Sequence, residues 1–219
     1  QEYAMQGTYN ALVNYKGAEF SANVSSGASI MENSVTERRM TVALGEHRTE
    51  TTTTEYRFAG VKLFERSKTR RWLSLYAGPV ADAQADSGMW IPYQPKQAIY
   101  GYATDGETWA ASGPFSGCDV EIGTHAGRIY FAHLSRESGS KAAENWDAGV
   151  IANSPDTQVW LREKVPLASD RFYASSYIFV AWSAGAVGPR GVQVTRLDIK
   201  TKSMSGDSGT VFNVVKLVG

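Results

Sequence analysis

Apolar and polar residues alternate along much of this chain with a period of two, the pattern typical of β-strands that have one buried face. Many of these stretches are also rich in valine, threonine and aromatic residues, which favour strands. The predicted strands lie at residues 34–44, 55–64 with a break at Gly60, 71–77, 157–165, 173–182, 191–200 and 210–218. The aromatic and β-branched stretch at 173–182 predicts a central strand.

Few stretches favour a helix. Residues 142–148 are the best candidate for a short helix, and residues 9–15 fit either a strand or a short helix. The chain therefore has far more predicted strand than helix. No linker or internal repeat divides it, so we predict one domain over residues 1–219.

Two segments in the middle of the chain carry turn signals. Residues 97–104 and 107–112 predict two short strands around Asp105-Gly106, a dipeptide that favours a hairpin turn. Residues 90–95 hold two prolines and are predicted to be irregular.

Composition narrows the function classes. The chain has 22 basic and 22 acidic residues, so its net charge of zero gives no global attraction to nucleic acid or to an anionic membrane. No apolar run is long enough for a transmembrane helix. The sequence begins at Gln1 and shows no signal peptide. Its single cysteine, Cys118, cannot form an internal disulfide, so the fold does not depend on an oxidising compartment.

The segment from Ser116 to Leu134 carries the most chemical information. Its apolar residues alternate on either side of a short turn, which predicts a β-hairpin. A loop centred on His125-Ala126 would pair Ile122 with Ile129 and Val120 with Phe131, so that apolar side chains meet on one face. In that register Cys118 lies opposite His133, with Cβ atoms roughly 4.5–5.5 Å apart.

A cysteine next to a histidine can act as a nucleophile, because the imidazole removes the thiol proton and the thiolate is the reactive form. Lone cysteines are more often small buried residues. The predicted register favours the catalytic interpretation, since it brings the one cysteine to one of only three histidines. His125 at the loop tip and His47 in a polar turn are predicted to have no catalytic role.

Residues before the cysteine predict a place for an oxyanion. The stretch from Gly113 to Gly117 is rich in turn-forming residues. It could leave backbone N–H groups around Ser116, Gly117 and Cys118 free to stabilise negative charge on a substrate oxygen.

The Ser116-Gly117-Cys118 motif, with His133 fifteen residues after the cysteine, resembles the catalytic domains of the cytotoxic necrotizing factor and dermonecrotic toxin group. It is also similar to the Burkholderia lethal factor, in which a threonine six positions before the cysteine assists. That position here is Ser112, which also carries a hydroxyl. About twenty residues resemble the family closely, and beyond them only the strand-rich length is similar.

The resemblance implies an α+β fold, strand-rich, with a mixed β-sandwich core flanked by a few helices. It implies a secreted or translocated toxin domain that deamidates a glutamine of a host protein in the host cytosol, with Cys118, His133 and Ser112 as catalytic residues. Small GTPases and translation factors are targets within the family. No metal, cofactor, nucleic acid or membrane insertion is implied, and no zinc-ligand spacing or phosphate-binding loop is present.

Other functions stay open. A papain-like protease is disfavoured, because such enzymes usually separate the cysteine and histidine widely in sequence. Transglutaminase-type acyl transfer shares the thioester and differs only in the acyl acceptor. A non-enzymatic binding module could use aromatic residues as a ligand surface, and the candidates are Trp90, Tyr93, Trp109 and Trp182. Substrate choice would depend on loops at residues 78–95, 135–145 and 185–191.

Overall fold

A computed structural model describes most of the chain. The described residues are 3–5, 7–24, 39–43, 53–55, 60–65, 72–77, 88–103, 108–165, 174–183, 190–201 and 205–219. The predicted Asp105-Gly106 turn and most of the predicted loops at 78–95 and 185–191 lie outside these ranges.

Strands dominate the described part of the chain. In chain order they are β1 (Tyr3–Met5), β2 (Glu19–Val24), β3 (Arg39–Ala43), β4 (Thr53–Glu55), β5 (Gly60–Glu65), β6 (Trp72–Ala77), β7 (Gly88–Ile91), β8 (Ala98–Tyr102), β9 (Trp109–Phe115), β10 (Asp119–His125), β11 (Arg128–Leu134), β12 (Thr157–Lys164), β13 (Ala174–Trp182), β14 (Val192–Thr201) and β15 (Ser208–Val218).

These strands form two sheets. The larger sheet has the order β1-β5-β6-β2-β15-β14-β13-β9-β7, and an additional pairing of β7 with β5 curls it back on itself. It is mixed, because β2 is parallel to β6 and β7 is parallel to β9. The smaller sheet has the order β12-β10-β11-β8-β3-β4.

Short helices occupy the two places where the sequence admits them. Helix α1 (Tyr9–Leu12) begins after Thr8, whose side chain accepts a hydrogen bond from the N–H of Ala11. A 3₁₀ turn (Val13–Tyr15) follows it, so the ambiguous segment at 9–15 is helical. Helix α2 (Ala142–Asp147) confirms the predicted helix, and α3 (Val150–Asn153) was not predicted.

Strands β10 and β11 of the smaller sheet are buried on both faces. Val120, Ile122 and Phe131 lie on the face that packs against the larger sheet. The opposite face holds Tyr130, Ala132 and Leu134 and packs against α2 and α3, with Trp146 and Ile151 among the contacts. This arrangement confirms the predicted α+β class and strand-rich sandwich, and it makes the space between the sheets the main core.

The prediction of a hairpin between residues 97–104 and 107–112 is wrong. Both segments form strands, but β8 belongs to the smaller sheet and β9 to the larger one. The irregular structure predicted for residues 90–95 is wrong for the first two of them. Trp90 and Ile91 belong to β7, where both are buried. A turn dipeptide indicates a local change of direction, but the partner that each strand finds depends on the tertiary packing.

The predicted hairpin at β10 and β11 is present, with a different register. Its turn is Ala126-Gly127, and both residues have positive φ angles (49° and 76°), as a two-residue type I′ turn requires. His125 therefore pairs with Arg128, and Val120, not Cys118, pairs with His133. The shift by two positions keeps every side chain on its predicted face, so the inward pattern of apolar residues survives.

Within the described residues, no helix is both long and apolar enough to cross a membrane. The single-domain prediction stays a prediction.

Candidate active site

Cys118 lies where the chain passes from the larger sheet to the smaller one. It follows the end of β9 at Phe115 and precedes the first residue of β10. Gly117 makes the turn with a φ of +94°, a conformation that favours glycine. Two backbone hydrogen bonds anchor this crossing: the Gly117 N–H donates to the Val165 carbonyl (3.0 Å), and the Val165 N–H donates to the Cys118 carbonyl (2.9 Å).

His133 lies on β11 with its ring in the core between the sheets. It is 1% exposed, and its ring stacks on that of Phe115 with centroids 3.7 Å apart and an interplanar angle of 12°. Continuing the register one position beyond the Asp119–Leu134 pair places Cys118 beside Ser135. Cys118 borders the core between the sheets, and no hydrogen bond joins it to His133 Nε2.

Ser112 connects His133 to the larger sheet. Its Oγ lies 2.8 Å from His133 Nδ1 and 2.6 Å from the carbonyl oxygen of Ile91. A serine hydroxyl has one hydrogen. Because the Ile91 carbonyl can only accept, Ser112 donates to it and accepts the Nδ1–H of His133. The chain of hydrogen bonds therefore fixes the tautomer of His133 and leaves the Nε2 lone pair available.

The Nε2 atom of His133 is buried and has no hydrogen-bond partner among the described residues. An unpaired buried polar atom is costly, and such atoms often mark functional sites. Burial lowers the pKa of His133 to about 3, because the positive form would lose its hydration. His133 is therefore a neutral base in the resting protein.

The thiol of Cys118 is also neutral at rest. It is 7% exposed, and burial raises its pKa above the ordinary value. The negative charges of Asp119 and Glu137 raise it further, whereas backbone hydrogen bonds from Arg136 and Ser116 act in the opposite direction. A neutral thiol and a neutral histidine differ from the sequence prediction, in which the imidazole removes the thiol proton. Desolvation disfavours both charged forms, so neither a thiolate nor an imidazolium is the resting form.

The backbone groups predicted to bind an oxyanion differ in the hydrogen bonds that they make. The Gly117 N–H already donates to Val165, so it is not free in this arrangement. The backbone of Ser116 contributes a hydrogen bond that stabilises the Cys118 thiolate, and the backbone of Arg136 contributes a stronger one. Arg136 was not predicted, because only the tertiary fold brings the residues after β11 to the sulfur.

A polar rim, defined here as Tyr93, Ser135 and Glu137, borders the cysteine and histidine. The ring of Tyr93 lies 5.3 Å from that of His133, and burial and the Glu137 charge raise the pKa of its hydroxyl. Ser135 is buried, accepts the N–H of Lys96 (3.1 Å) and donates to Glu137 Oε1 (3.4 Å). The rim is the half-exposed edge of an otherwise buried site.

On the far side of β10, two buried carboxylates form an ionic network. Arg162 donates to Glu121 Oε2 (2.6 Å) and Asp119 Oδ2 (3.1 Å), and Arg136 donates to the same Asp119 oxygen (2.7 Å). Glu121 Oε1 accepts the Trp146 indole N–H (2.9 Å) and the Tyr130 hydroxyl (2.8 Å). The alternation of acidic and apolar residues in β10 predicted a half-buried strand, so the burial of these carboxylates was missed.

The remaining predicted residues lie elsewhere. His125 is at the opposite end of β10, where Nδ1 lies 2.7 Å from the Tyr102 hydroxyl. Trp90 and Trp109 are core residues, 1% and 0% exposed, so they cannot form part of an aromatic ligand surface. Trp182 and Tyr93 are half-buried. His47 lies outside the described residues.

Three or more His, Cys, Asp or Glu side chains are nowhere grouped to hold a metal ion in the part of the chain that the structure describes.

Comparison with known proteins finds similarity at the level of structure and none at the level of sequence. No protein-family model matches the chain, and no curated protein matches it. The fold is similar to the crystal structure of the C-terminal domain of CNFy from Yersinia pseudotuberculosis, with a TM-score of 0.37 and 12% identity over 80% of this chain and 77% of that one. Similarity at this level carries no argument about function, which has to rest on the residues of the site.

Proposed function

We propose that this protein is a glutamine deamidase of the toxin type, secreted or translocated, in which Cys118 is the nucleophile and His133 the base. The observation that carries the proposal is the hydrogen-bond chain from His133 Nδ1–H through Ser112 to the Ile91 carbonyl. It holds a neutral histidine with a bare Nε2 between the sheets, where Cys118 also lies. Buried polar atoms are usually hydrogen-bonded, so an unpaired histidine nitrogen in the same core as a buried thiol favours a functional role.

The reaction proceeds by acyl transfer. Nε2 takes the thiol proton as sulfur attacks the γ-carboxamide carbon of a glutamine in a host protein, and a tetrahedral oxyanion forms. The imidazolium gives its proton to the amide nitrogen, the carbon–nitrogen bond breaks, and ammonia leaves a thioester. Water then loses a proton to Nε2 and attacks the thioester, which releases glutamate and restores the thiol.

The surroundings suit each step. Ser112 holds the ring and stabilises the imidazolium through Nδ1–H, the role that a third group has in other nucleophile–histidine pairs. Backbone N–H groups of Arg136 and Ser116 face the sulfur, and they are the best-placed donors for negative charge that develops beside it. Stacking on Phe115 excludes water from one face of the imidazole.

Mass spectrometry of host-cell lysate tests this function. We expect treatment with the wild-type protein to convert one or a few specific glutamines to glutamate, with no conversion by Cys118→Ser. Folding of the variant is checked by circular dichroism. Addition of a primary amine distinguishes the transglutaminase alternative, since that activity would attach the amine at the same glutamine. Conversion that persists in Cys118→Ser, or its absence with folded wild-type protein, would contradict the proposal.

A further inference from the structure

The position of Glu137 at the rim has a consequence for substrate choice. We propose that Glu137 is a specificity-determining residue that makes the Cys118 site select uncharged carboxamides over carboxylates. The inference rests on the proposed function, for which it specifies the substrate class and the direction of the reaction. It concerns the electrostatic charge close to the Cys118 sulfur and its effect on an approaching substrate group.

Backbone geometry places Glu137 beside the nucleophile. The pairs of the hairpin end at Asp119 and Leu134, so Cys118 and Ser135 are the next residue on each side, and Glu137 follows Ser135 by two residues. Buried Ser135 donates to Glu137 Oε1 (3.4 Å), and the Glu137 charge raises the pKa values of both Tyr93 and Cys118. Tyr93 in turn packs against the ring of His133, whose Nε2 is buried and unpaired. These contacts hold the Glu137 carboxylate at the edge of the site.

Glu137 is also a carboxylate whose charge no ion pair among the described residues neutralises. Asp119 is the other acidic residue next to Cys118, but Arg136 and Arg162 both bind its Oδ2 oxygen. For Glu137, which is exposed, the described part of the chain shows no ion pair. A group that approaches the sulfur therefore meets a local negative charge, although the net charge of the chain is zero.

This charge affects substrate and product differently. The γ-carboxamide of glutamine is neutral and can donate its N–H₂ to a carboxylate. The glutamate produced by hydrolysis is negative, so the same carboxylate repels it. The charge thus favours entry of the amide and departure of the acid.

Two alkylating reagents of nearly equal size test the inference without any deamidase assay. Iodoacetamide carries a carboxamide and iodoacetate a carboxylate. In both reactions the thiolate attacks the CH₂ carbon and displaces iodide, which leaves a carboxamidomethyl or a carboxymethyl group on the sulfur. The measured quantity is the ratio of their labelling rates at Cys118, normalised to the ratio for unfolded protein. Because both reagents need the same thiolate, changes in the reactivity of the thiol cancel.

We expect the iodoacetamide-to-iodoacetate ratio to fall about two- to fivefold in Glu137→Gln, as one partly screened charge near the sulfur requires. Asp156→Asn is the matched control, since it removes an exposed charge next to the first residue of β12, at the opposite end of the smaller sheet. Added salt should lower the ratio in the wild type and much less in Glu137→Gln.

An unchanged ratio in Glu137→Gln would overturn the inference, and so would a native thiol that neither reagent reaches. A ratio that falls in Glu137→Gln alone supports it, even if no glutamine of any host protein is converted. In that case the charge selection stands and the proposed function fails, so the two outcomes are distinguishable.

Discussion

At the scale of single residues, the site depends on how one histidine is held. His133 has an apolar ring stacked on it, one nitrogen bound to Ser112 and the other bare. Burial keeps the ring neutral, and the bond at Nδ1 determines which nitrogen carries the lone pair. Ser112 is thus a positioning residue, which acts on the reaction through His133.

Replacing Ser112 tests this role. We expect Ser112→Ala to lower the rate of thioester formation by about 10²-fold, because His133 loses the partner that fixes its tautomer. Nitrogen-15 NMR of labelled histidine should show an Nδ1–H tautomer in the wild type and a mixture of tautomers in the variant. Ser112→Thr keeps the hydroxyl and is expected to restore both the tautomer and the rate. A pure Nδ1–H tautomer in Ser112→Ala would show that another group orients the ring.

At the scale of elements, β10 has an apolar core on one face and a buried ionic network on the other. Its inward residues Val120 and Ile122 pack between the sheets, whereas Asp119 and Glu121 on the other face are each 4% exposed. The carboxylates are tolerated there because Arg162 from β12 and neighbouring donors pair with them. This network anchors the start of β10, directly after the nucleophile.

Replacing Arg162 should therefore destabilise the folded protein. We expect Arg162→Met to lower the free energy of unfolding by about 3 kcal/mol, since it leaves two buried carboxylates without their shared cation. Urea denaturation measures the loss. Lys164→Met, in the same strand but exposed, is the control and should change stability by less than about 0.5 kcal/mol. Equal losses in the two variants would mean that the network contributes little.

At the scale of the whole molecule, the site exists only because the two sheets pack together. Ser112 comes from the larger sheet, His133 from the smaller one, and Cys118 from the crossing between them. Opening the sheets would therefore expose His133 to water and return its pKa to the ordinary value. Folding and the protonation of His133 are coupled for this reason.

This coupling predicts a specific loss of stability in acid. Between pH values of about 6.5 and 3 the unfolded chain binds a proton at His133, whereas the folded protein, in which burial lowers that pKa to about 3, does not. The free energy of unfolding should therefore fall as the pH decreases in this window. The fall should exceed that of His133→Phe by up to ~1.4 kcal/mol per pH unit. Denaturation of both proteins across the window measures the difference, because contributions from carboxylates cancel. Parallel curves would show that His133 is accessible to protons in the folded state.

Several features followed from local sequence alone. Period-two alternation located strands such as β6 and β14, and aromatic and β-branched enrichment located β13, to within a residue or two at each end. The same alternation also assigned Cys118 and His133 to one face of a hairpin. A face assignment survives a register shift of two, so the paired residues of β10 and β11 keep their predicted faces although the predicted pairing was wrong. Cys118 lies just outside these pairs.

Other features could not be predicted from any single segment. The partners of β8 and β9, the burial of Asp119 and Glu121, and the approach of Arg136 and Glu137 to the sulfur all join segments from different parts of the fold. The sequence by itself determined which residues are candidates for the chemistry, since this depends on side-chain type and strand period. Only the tertiary structure decided that Cys118 and His133 are buried and neutral, because desolvation depends on the sheet that covers them.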